Sequence, residues 1–483
     1  MRIAMIAAEV APYAKTGGLG DVLAALPKHV AMLGHEVCLF VPKYRHIDLR
    51  EIGATTEIER LPVPMGESSE PGSVHSLQLE GVRIYFLGGE RYVERGVIYG
   101  YADDGERFVF ACRAALEALK LLDWKPDVIH CHDWHTGLIP NWLNTLYRDD
   151  PFFIKTATLL TIHNLAFQGV FGRDILKLAG FAGNELPFSS RHPRRSDTVN
   201  FMARGIAFAD QINTVSREYA HEILTPDYGE GLNKLLNRRK DDLSGILNGI
   251  DTDIYNPAID PEIATNFDVS SCDLKLDNKL ALQREAGLEQ RPDRPLAAVV
   301  ARLTRQKGVD LVAQTLPVLT RLGGQLVVLG VGDSDIEDQL VLAANAHHQA
   351  ARAFLRFEPK LAQRAYAGAD VLLAPSRFEP CGLTQMIAMR YGTVPVVRST
   401  GGLAETVTDV SSDPDCGTGF TFDEFDPLDF IAAVARAFEL YRSRADWRTL
   451  MLRCMAQDFS WGPAANEYSN LYVKLIEETR SGS

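Results

Sequence analysis

Three stretches combine glycines with charged side chains in a way that could bind a phosphorylated ligand. The first, "KTGGLGDV" (15–22), follows the apolar run "RIAMIAA" and precedes a helical pattern. Glycines let backbone amides approach a ligand, a helix N-terminus favours anions, and Lys15 adds a positive charge. The stretch is neither Gly-x-Gly-x-x-Gly nor a P-loop, and an ordinary tight turn with Asp21 as a first-turn charge explains it equally well.

The second stretch, "ARLTRQKGVD" (301–310), places two cations on one strand-to-helix loop. Arg302 follows the apolar run "AAVVA", and Lys307 is predicted to open the next helix. Two such cations can converge on one diphosphate. The alternative is a pair of solvated surface charges, but the apolar strand directly before Arg302 favours a position at the functional edge of a sheet.

The third stretch, "PSRFEPCGLTQMIAMRYG" (375–392), places a carboxylate, free amides and a hydroxyl at one predicted helix start. Glu379, the "CGL" backbone and Thr384 supply them, and Pro380 is predicted to lie in the first helical turn. Sugars need both donors and acceptors, because each unpaired polar group left buried is costly. "STGGLAETV" (399–407) repeats the arrangement, which indicates a large ligand held at several points.

Other polar residues have simpler explanations. His132, Asp133 and His135 in "CHDWHTG" follow one another at short spacing on a predicted loop without a distant third ligand, which argues against zinc. His163 in "TIHNLAFQG" ends another strand, where either a structural or a catalytic role is possible. The Asp-x-Asp at 251–253 is interpreted as a turn rather than a metal site. Cys381 lies near a helix start that could lower its thiol pKa, but it lacks a His–Asp partner pattern and is interpreted as a packing residue.

These residues need a scaffold that brings strand ends together, and the apolar pattern predicts one. Short apolar runs alternate with helical spacing from "RIAMIAA" onward, and the alternation restarts near residue 295. Continuous apolar runs are typical of parallel strands buried on both faces. We therefore expect two doubly wound α/β domains, at 1–249 and 250–460. A C-terminal helix at 461–483 is expected to cross back to the first domain.

Composition excludes several classes of protein. The chain has 483 residues, a formal net charge of −13, and no apolar run of 18 residues. The charge disfavours nucleic acid as a partner, and the hydropathy disfavours a membrane. Seven scattered cysteines form no Cys-x-x-Cys pair, as expected in a reducing cytoplasm.

Taken together, the motifs resemble the bacterial glycogen synthase and starch synthase family of retaining glucosyltransferases. The resemblance is carried, in order, by "KTGGLGDV", "HDWHTGL", "TIHNLAFQG", "ILNGID", "ARLTRQKG", "PSRFEPCGLTQ" and "STGGLAETV". It implies a GT-B glycosyltransferase fold of two Rossmann-like, doubly wound α/β domains facing a cleft. It also implies transfer of glucose from ADP-glucose to the non-reducing 4-hydroxyl of an α-1,4-glucan (glycogen or starch chains), with retention. No metal or cofactor is implied, and the location would be cytoplasmic, with association with glucan granules left open.

The resemblance also implies roles for individual residues. Arg302 and Lys307 would hold the donor diphosphate, Glu379 would hold the glucose, and His163 would lie near its 6-hydroxyl. These four residues are the catalytic set. Further substrate contacts are expected at Lys15, Gly18, Asp21, Asp133, Asn248, Phe357, Cys381, Gly382, Leu383 and Thr384.

Two departures from wider patterns bear on mechanism and donor. Ile387 stands where many two-domain retaining transferases carry a second glutamate, as is usual in the synthase family. Phe357 stands where bacterial relatives have tyrosine, so stacking on adenine would survive but a hydroxyl contact would not. No carboxylate is clearly placed as a nucleophile, which favours same-face attack over a covalent double displacement.

Three alternatives remain open from the sequence. The first is a transferase of the same fold that prefers UDP-glucose or makes a sucrose-type product. The second is a catalytically silent glucan-binding scaffold, against which the joint presence of the catalytic set argues. The third, a dehydrogenase, lacks a clean Gly-x-Gly-x-x-Gly with a ribose-binding acid about 20 residues on.

Overall fold

The structure is a computed structural model that describes residues 1–181 and 197–481. The chain divides into two compact units. The first comprises Met1–Val215, Ala220–Leu247 and Trp461–Ser483, and the second comprises Ser216–Tyr219 and Asn248–Ser460.

Among the described residues, the strands form one large sheet in each unit and a separate two-stranded antiparallel sheet. In chain order they are β1 (Arg2–Ile6), β2 (Glu36–Pro42), β3 (Thr55–Met65), β4 (Ser68–Leu79), β5 (Val82–Gly88), β6 (Val128–His132), β7 (Ala157–Ile162), β8 (Val170–Gly172), β9 (Thr198–Asn200), β10 (Gln211–Thr214), β11 (Leu243–Gly245), β12 (Leu296–Val300), β13 (Gln325–Leu329), β14 (Ala351–Phe354), β15 (Val371–Ala374), β16 (Val394–Arg398) and β17 (Phe420–Phe422).

The helices connect these strands. They are α1 (Gly18–Met32), α2 (Asp104–Leu121), α3 (Leu138–Leu143), α4 (Ile175–Leu178), α5 (Phe201–Phe208), α6 (Arg217–Glu222), α7 (Asn233–Arg238), α8 (Lys275–Glu285), α9 (Val309–Arg321), α10 (Ser334–Ala346), α11 (Pro359–Gly368), α12 (Thr384–Arg390), α13 (Gly401–Thr406), α14 (Pro427–Arg442), α15 (Arg444–Met455) and α16 (Trp461–Ser481).

The first unit is built on a sheet with the strand order β11-β10-β7-β6-β1-β2-β5-β4-β3. The strands from β11 to β5 are parallel, and β1, β6 and β7 are buried along their central residues. The chain runs from β1 to β2 on one side and returns to β6 on the other, so the order reverses at β1. Ligands of such sheets bind beyond the carboxyl ends of the strands at this reversal.

The prediction of parallel sheets was wrong at one edge of this unit, where β4 pairs antiparallel with both β3 and β5. The two strands are hard to predict from sequence because β3 contains Pro62 and Pro64 and β4 contains Pro71, and proline cannot donate a hydrogen bond to a β-ladder. β3 is the edge strand and Pro71 lies outside the part of β4 that pairs with β5, so the prolines are tolerated; the β3–β4 hairpin lies far along the sheet order from β1, so the switch point is unaffected.

The second unit contains a six-stranded, fully parallel sheet with the order β14-β13-β12-β15-β16-β17. Here the order reverses between β12 and β15. The apolar strands pack with helices α9 and α14 into a core that includes Val312, Leu326, Val396 and Phe430. The loops that follow β12 and β15 are thus placed at the second switch point by topology alone.

Helix α16 belongs to the core of the first unit. Its buried residues recur at helical spacing, as expected for one apolar face: Trp461, Ala464, Ala465, Tyr468, Tyr472, Leu475 and Ile476. No helix within the described ranges is both long and apolar enough to cross a membrane.

Candidate active site

The glycine loop of the first unit is organised by a buried acid. Glu9 accepts hydrogen bonds from the backbone N–H groups of Thr16 and Gly17, at 2.7 and 3.1 Å, on one carboxylate oxygen. The other oxygen accepts from the Tyr99 hydroxyl at 2.6 Å. Two loop amides that could have faced an anion are therefore held by the protein itself. In the sequence, Glu9 is only an acidic residue that interrupts an apolar run, and no motif includes Tyr99, so the contact between them could not be predicted.

The charged residues of this loop lie at the start of α1. The helix begins at Gly18, within the glycine stretch, and Asp21 lies in its first turn. The Lys15 ammonium is 2.6 Å from the Asp21 carboxylate, and both side chains remain about one-third exposed. The loop thus offers a partly solvated ion pair together with the N-terminus of a 15-residue helix.

Asp133 and His163 are brought together by the adjacent strands β6 and β7. The Asp133 carboxylate accepts the backbone N–H of His163 at 2.7 Å, and Asp133 has a left-handed backbone with φ of 59°. Burial raises the pKa of Asp133 to about 7, against the hydrogen bonds from the His163 and Asn164 amides. Burial lowers the pKa of His163 to about 3. His163 is therefore neutral at pH 7, able to donate from one ring nitrogen and accept at the other.

A line of buried histidines continues behind His163. His163 Nε2 lies 3.0 Å from His132 Nδ1, and the His132 ring lies 4.0 Å from that of His130, centroid to centroid. His130 contacts the Tyr472 hydroxyl of α16 at 2.8 Å and the Thr161 hydroxyl at 2.7 Å. Burial lowers the pKa values of His130 and His132 far below the ordinary range. These neutral rings position His163 and connect it to the C-terminal helix.

The second unit joins a cation and a carboxylate at its switch point. The Lys307 ammonium lies 2.6 Å from a Glu379 carboxylate oxygen, and the Ser376 hydroxyl donates to that same oxygen at 3.0 Å. The Lys307 side chain keeps 23% of its exposure and that of Glu379 keeps 9%. Two residues predicted from separate motifs thus form one site, which the spacing of 72 residues could not reveal.

Arg302 lies two residues after β12 and is exposed. Its side chain makes no hydrogen bond, ion pair or ring contact with another residue of the described ranges.

Lys307 does not open α9 as predicted. It ends a 3-10 turn, and Gly308 then adopts a left-handed φ of 65° before α9 begins at Val309. A Cβ at Gly308 would overlap the Pro375 carbonyl, so close contact between the β12 and β15 loops requires glycine there.

The "EPCGL" loop differs from the prediction in its helix start. Helix α12 begins at Thr384, so Pro380 precedes the helix, and Leu383 is the residue before it. Burial raises the pKa of the Cys381 thiol to about 12, so the lowering that a nearby helix N-terminus could cause does not prevail. Its role as a packing residue fits this burial. The Gly402 amide donates to the Glu379 carbonyl at 3.1 Å, and a Cβ there would overlap the Cys381 backbone.

Three further residues predicted as substrate contacts also belong to the second unit. Gly382 has a left-handed φ of 72°, next to Cys381. Asn248 is buried, and its side-chain oxygen has no hydrogen-bond partner within the described residues. Phe357 lies on the loop after β14, and its side chain is 70% exposed. An unpaired buried oxygen and an exposed aromatic ring are each typical of ligand contacts.

The residues considered for metal binding form no such centre. Asp251 accepts the backbone N–H groups of Asp253 and Ile254 at 3.0 and 3.2 Å, which confirms the predicted turn. Across the described part of the chain, no group of three or more His, Cys, Asp or Glu side chains could hold a metal ion.

Two family models match the chain, one in each half. Residues 2–238 match the starch synthase catalytic domain, and residues 284–449 match the glycosyl transferases group 1.

Several known proteins are similar to this chain over its full length. The glycogen synthase of Moorella thermoacetica is 44% identical, over 100% of this chain and 98% of its own. Glycogen synthase 2 of Geobacter sulfurreducens is 44% identical over 100% of both chains. The solved catalytic domain of Starch Synthase IV from Arabidopsis thaliana, bound to ADP and acarbose, superposes with a TM-score of 0.93 at 36% identity, covering 98% of this chain and 99% of that one.

A sucrose-phosphate synthase from Thermosynechococcus elongatus, at 17% identity and a TM-score of 0.58, shares the fold alone. The two α/β units, their strand-end clusters and the family models define a glycosyltransferase with the GT-B fold. More narrowly, the chain belongs to the glycogen synthase and starch synthase family.

Proposed function

We propose that the chain transfers glucose from ADP-glucose to the non-reducing 4-hydroxyl of an α-1,4-glucan, with retention of the anomeric configuration. The observation that carries the proposal is the cluster in the second unit. There the Lys307 ammonium contacts the largely buried Glu379 carboxylate, and Arg302, two residues after β12, is exposed and has no side-chain partner among the described residues. Such a cluster supplies cations for a diphosphate and an acceptor for sugar hydroxyls.

The charge that develops during the reaction indicates a role for the two cations. As the anomeric C–O bond breaks, negative charge develops on the leaving diphosphate and positive charge on the sugar ring. Arg302 and Lys307 stabilise the developing negative charge, and prepositioned cations cost no reorganisation at that moment. Lys15 and the Gly18 amide at the start of α1 are assigned to the same diphosphate.

The sugar is held by groups with defined hydrogen-bonding roles. Glu379 accepts hydrogen bonds from glucose hydroxyls, the backbone N–H groups of the 381–383 loop donate to them, and the Thr384 hydroxyl can do either. The neutral His163 ring contacts the 6-hydroxyl, supported by Asp133. Asp21 and Asn248 complete the polar contacts, and Phe357 stacks on the adenine.

Attack on the same face as the leaving group accounts for retention. The acceptor 4-hydroxyl oxygen bonds to the anomeric carbon as the bond to the diphosphate breaks, and the hydroxyl proton passes to the leaving phosphate oxygen. Lys307 and Ser376 both contact one carboxylate oxygen of Glu379, which leaves the other to accept from the glucose, and Ile387 is a buried apolar residue of α12. This chemistry requires neither a metal nor another cofactor.

The test is a steady-state comparison of donors on a glycogen primer. We expect a higher kcat/KM with ADP-glucose than with UDP-glucose, and an unchanged rate in EDTA. An equal or higher kcat/KM with UDP-glucose would show that ADP-glucose is not the preferred donor. Binding of glycogen without turnover of either donor would indicate a silent scaffold.

A further inference from the structure

The two loops that carry the donor-binding residues of the second unit are joined to each other. The Arg377 backbone N–H donates to the Gln306 carbonyl at 2.8 Å, and the Gln306 side chain donates to the Phe378 carbonyl at 3.3 Å. These bonds connect residues 301–308, after β12, with residues 375–383, after β15. The relative position of the loops is therefore set by specific contacts.

The strongest of these contacts is made by the Arg377 guanidinium. Its two terminal nitrogens donate to the two carboxylate oxygens of Asp310, at 2.9 and 2.7 Å. The same group donates to the Arg305 carbonyl and lies over the Phe425 ring, 3.9 Å from its centroid. Burial alone would raise the pKa of Asp310, but the hydrogen bonds and charge of Arg377 lower it. A planar fork satisfies all these partners at once, which a lysine cannot do.

The position of this ion pair in the chain matters as much as its geometry. Asp310 lies in the first turn of α9, three residues after Lys307, and Arg377 lies two residues before Glu379. The pair thus connects the backbone next to the cation with the backbone next to the carboxylate. A third segment is attached as well, since Arg398 donates to the Arg377 carbonyl at 2.5 Å.

We propose that Arg377 and Asp310 are positioning residues for the glucosyl transfer. The pair holds Lys307 and Glu379 at the separation that the donor diphosphate and glucose require, without itself contacting the donor. This inference rests on the proposed function of the same site. Catalytic groups must be held within about 0.5 Å of the productive geometry, and a displacement of about 1 Å can lower the rate by about 10²-fold.

A second ion pair in the same unit provides a matched control. Arg436 donates to both carboxylate oxygens of Asp409, at 2.8 and 2.9 Å, and lies over the Phe420 ring. Its side chain is 38% exposed, against 34% for Arg377. This pair attaches α14 to the segment after α13 and contacts none of the residues assigned to the donor.

The experiment compares Arg377→Lys, Asp310→Asn and Arg436→Lys with the wild type. For the first two variants we expect kcat to fall by about 10- to 100-fold, with the KM for ADP-glucose changed by about three-fold or less. Arg436→Lys should keep kcat within about two-fold, even where its melting temperature falls as far as that of Arg377→Lys. The inference is overturned if Arg377→Lys and Asp310→Asn retain kcat, or if the control variant loses as much.

A double-mutant cycle separates positioning from general damage. If the pair acts as one unit, Arg377→Ala with Asp310→Ala should have the kcat of the worse single variant, within about two-fold. Multiplied losses would overturn the inference. If the alanine variants fail to fold, the two conservative variants carry the test alone. A wild type inactive with ADP-glucose and glycogen would instead refute the proposed function, because that result does not depend on Arg377.

Discussion

Arg302 offers the cleanest separation of catalysis from stability, since it is exposed and its side chain has no partner in the described residues. Arg302→Ala should therefore change the free energy of unfolding by only about 0.5 kcal/mol or less. If the guanidinium neutralises the leaving diphosphate, kcat should fall by about 10²–10³-fold, which corresponds to about 2.7–4 kcal/mol of lost transition-state stabilisation. The donor KM should rise less, because the ground-state diphosphate is already charged and has other partners.

The assay is the initial rate of glucan elongation on glycogen, with the melting temperature measured on the same preparations. Arg305→Ala is the matched control, since Arg305 lies on the same loop and its side chain is 65% exposed and paired with Asp335. We expect near-normal turnover for that variant. Arg302→Lys should recover little activity, because a point charge does not replace a planar fork. Near-normal kcat in Arg302→Ala would refute the role of Arg302 in leaving-group stabilisation.

Three further predictions concern the carboxylate, the adenine contact and the buried histidines. Glu379→Gln should lower kcat by about 10²-fold while the protein stays folded, and turnover close to that of the wild type would remove Glu379 from the site. Phe357→Ala should raise the KM for ADP-glucose several-fold and leave the KM for glycogen unchanged, and an unaltered donor KM would argue against stacking. Denaturant midpoints followed by tryptophan fluorescence, which reports mainly on the first unit, should fall as the pH drops from 6.5 to 4.5. Below pH 6.5 the histidines of the unfolded chain bind protons while these histidines of the folded protein stay neutral, which lowers the free energy of unfolding by about 1.4 kcal/mol per proton and pH unit. Asp133, with its raised pKa, binds a proton in the folded protein and offsets one of these contributions. A denaturant midpoint that does not change with pH would contradict this reasoning.

The elements that carry the site could be predicted because they combine two strong local signals. Lys15, Arg302 and Glu379 each follow a continuous apolar run and precede a helical pattern, and the structure places each on a loop after β1, β12 or β15. Parallel topology then brings such loops to the carboxyl edge of a sheet. The antiparallel β3–β4 hairpin was missed for the complementary reason, since its prolines and polar residues weaken both the apolar run and the alternation.

The contacts between motifs could not be predicted, because nothing local encodes them. Lys307 and Glu379 are 72 residues apart, and their ion pair depends on how two loops pack. The same holds for Arg377 with Asp310, 67 residues apart, and for Tyr472 of α16 with His130. Propensity and periodicity describe each element on its own, while these pairings arise from the strand order of the folded sheets.

The most direct test of the central proposal follows the transferred sugar itself. Purified protein, a maltooligosaccharide acceptor and ADP-glucose labelled with ¹³C at the anomeric carbon would be followed by NMR in the presence of EDTA. We predict that the donor signal is replaced by that of an α-1,4-linked glucosyl unit at the non-reducing end, with release of one ADP per glucose transferred. A β-linked product, release of free glucose without chain growth, or an unconsumed donor would contradict the account.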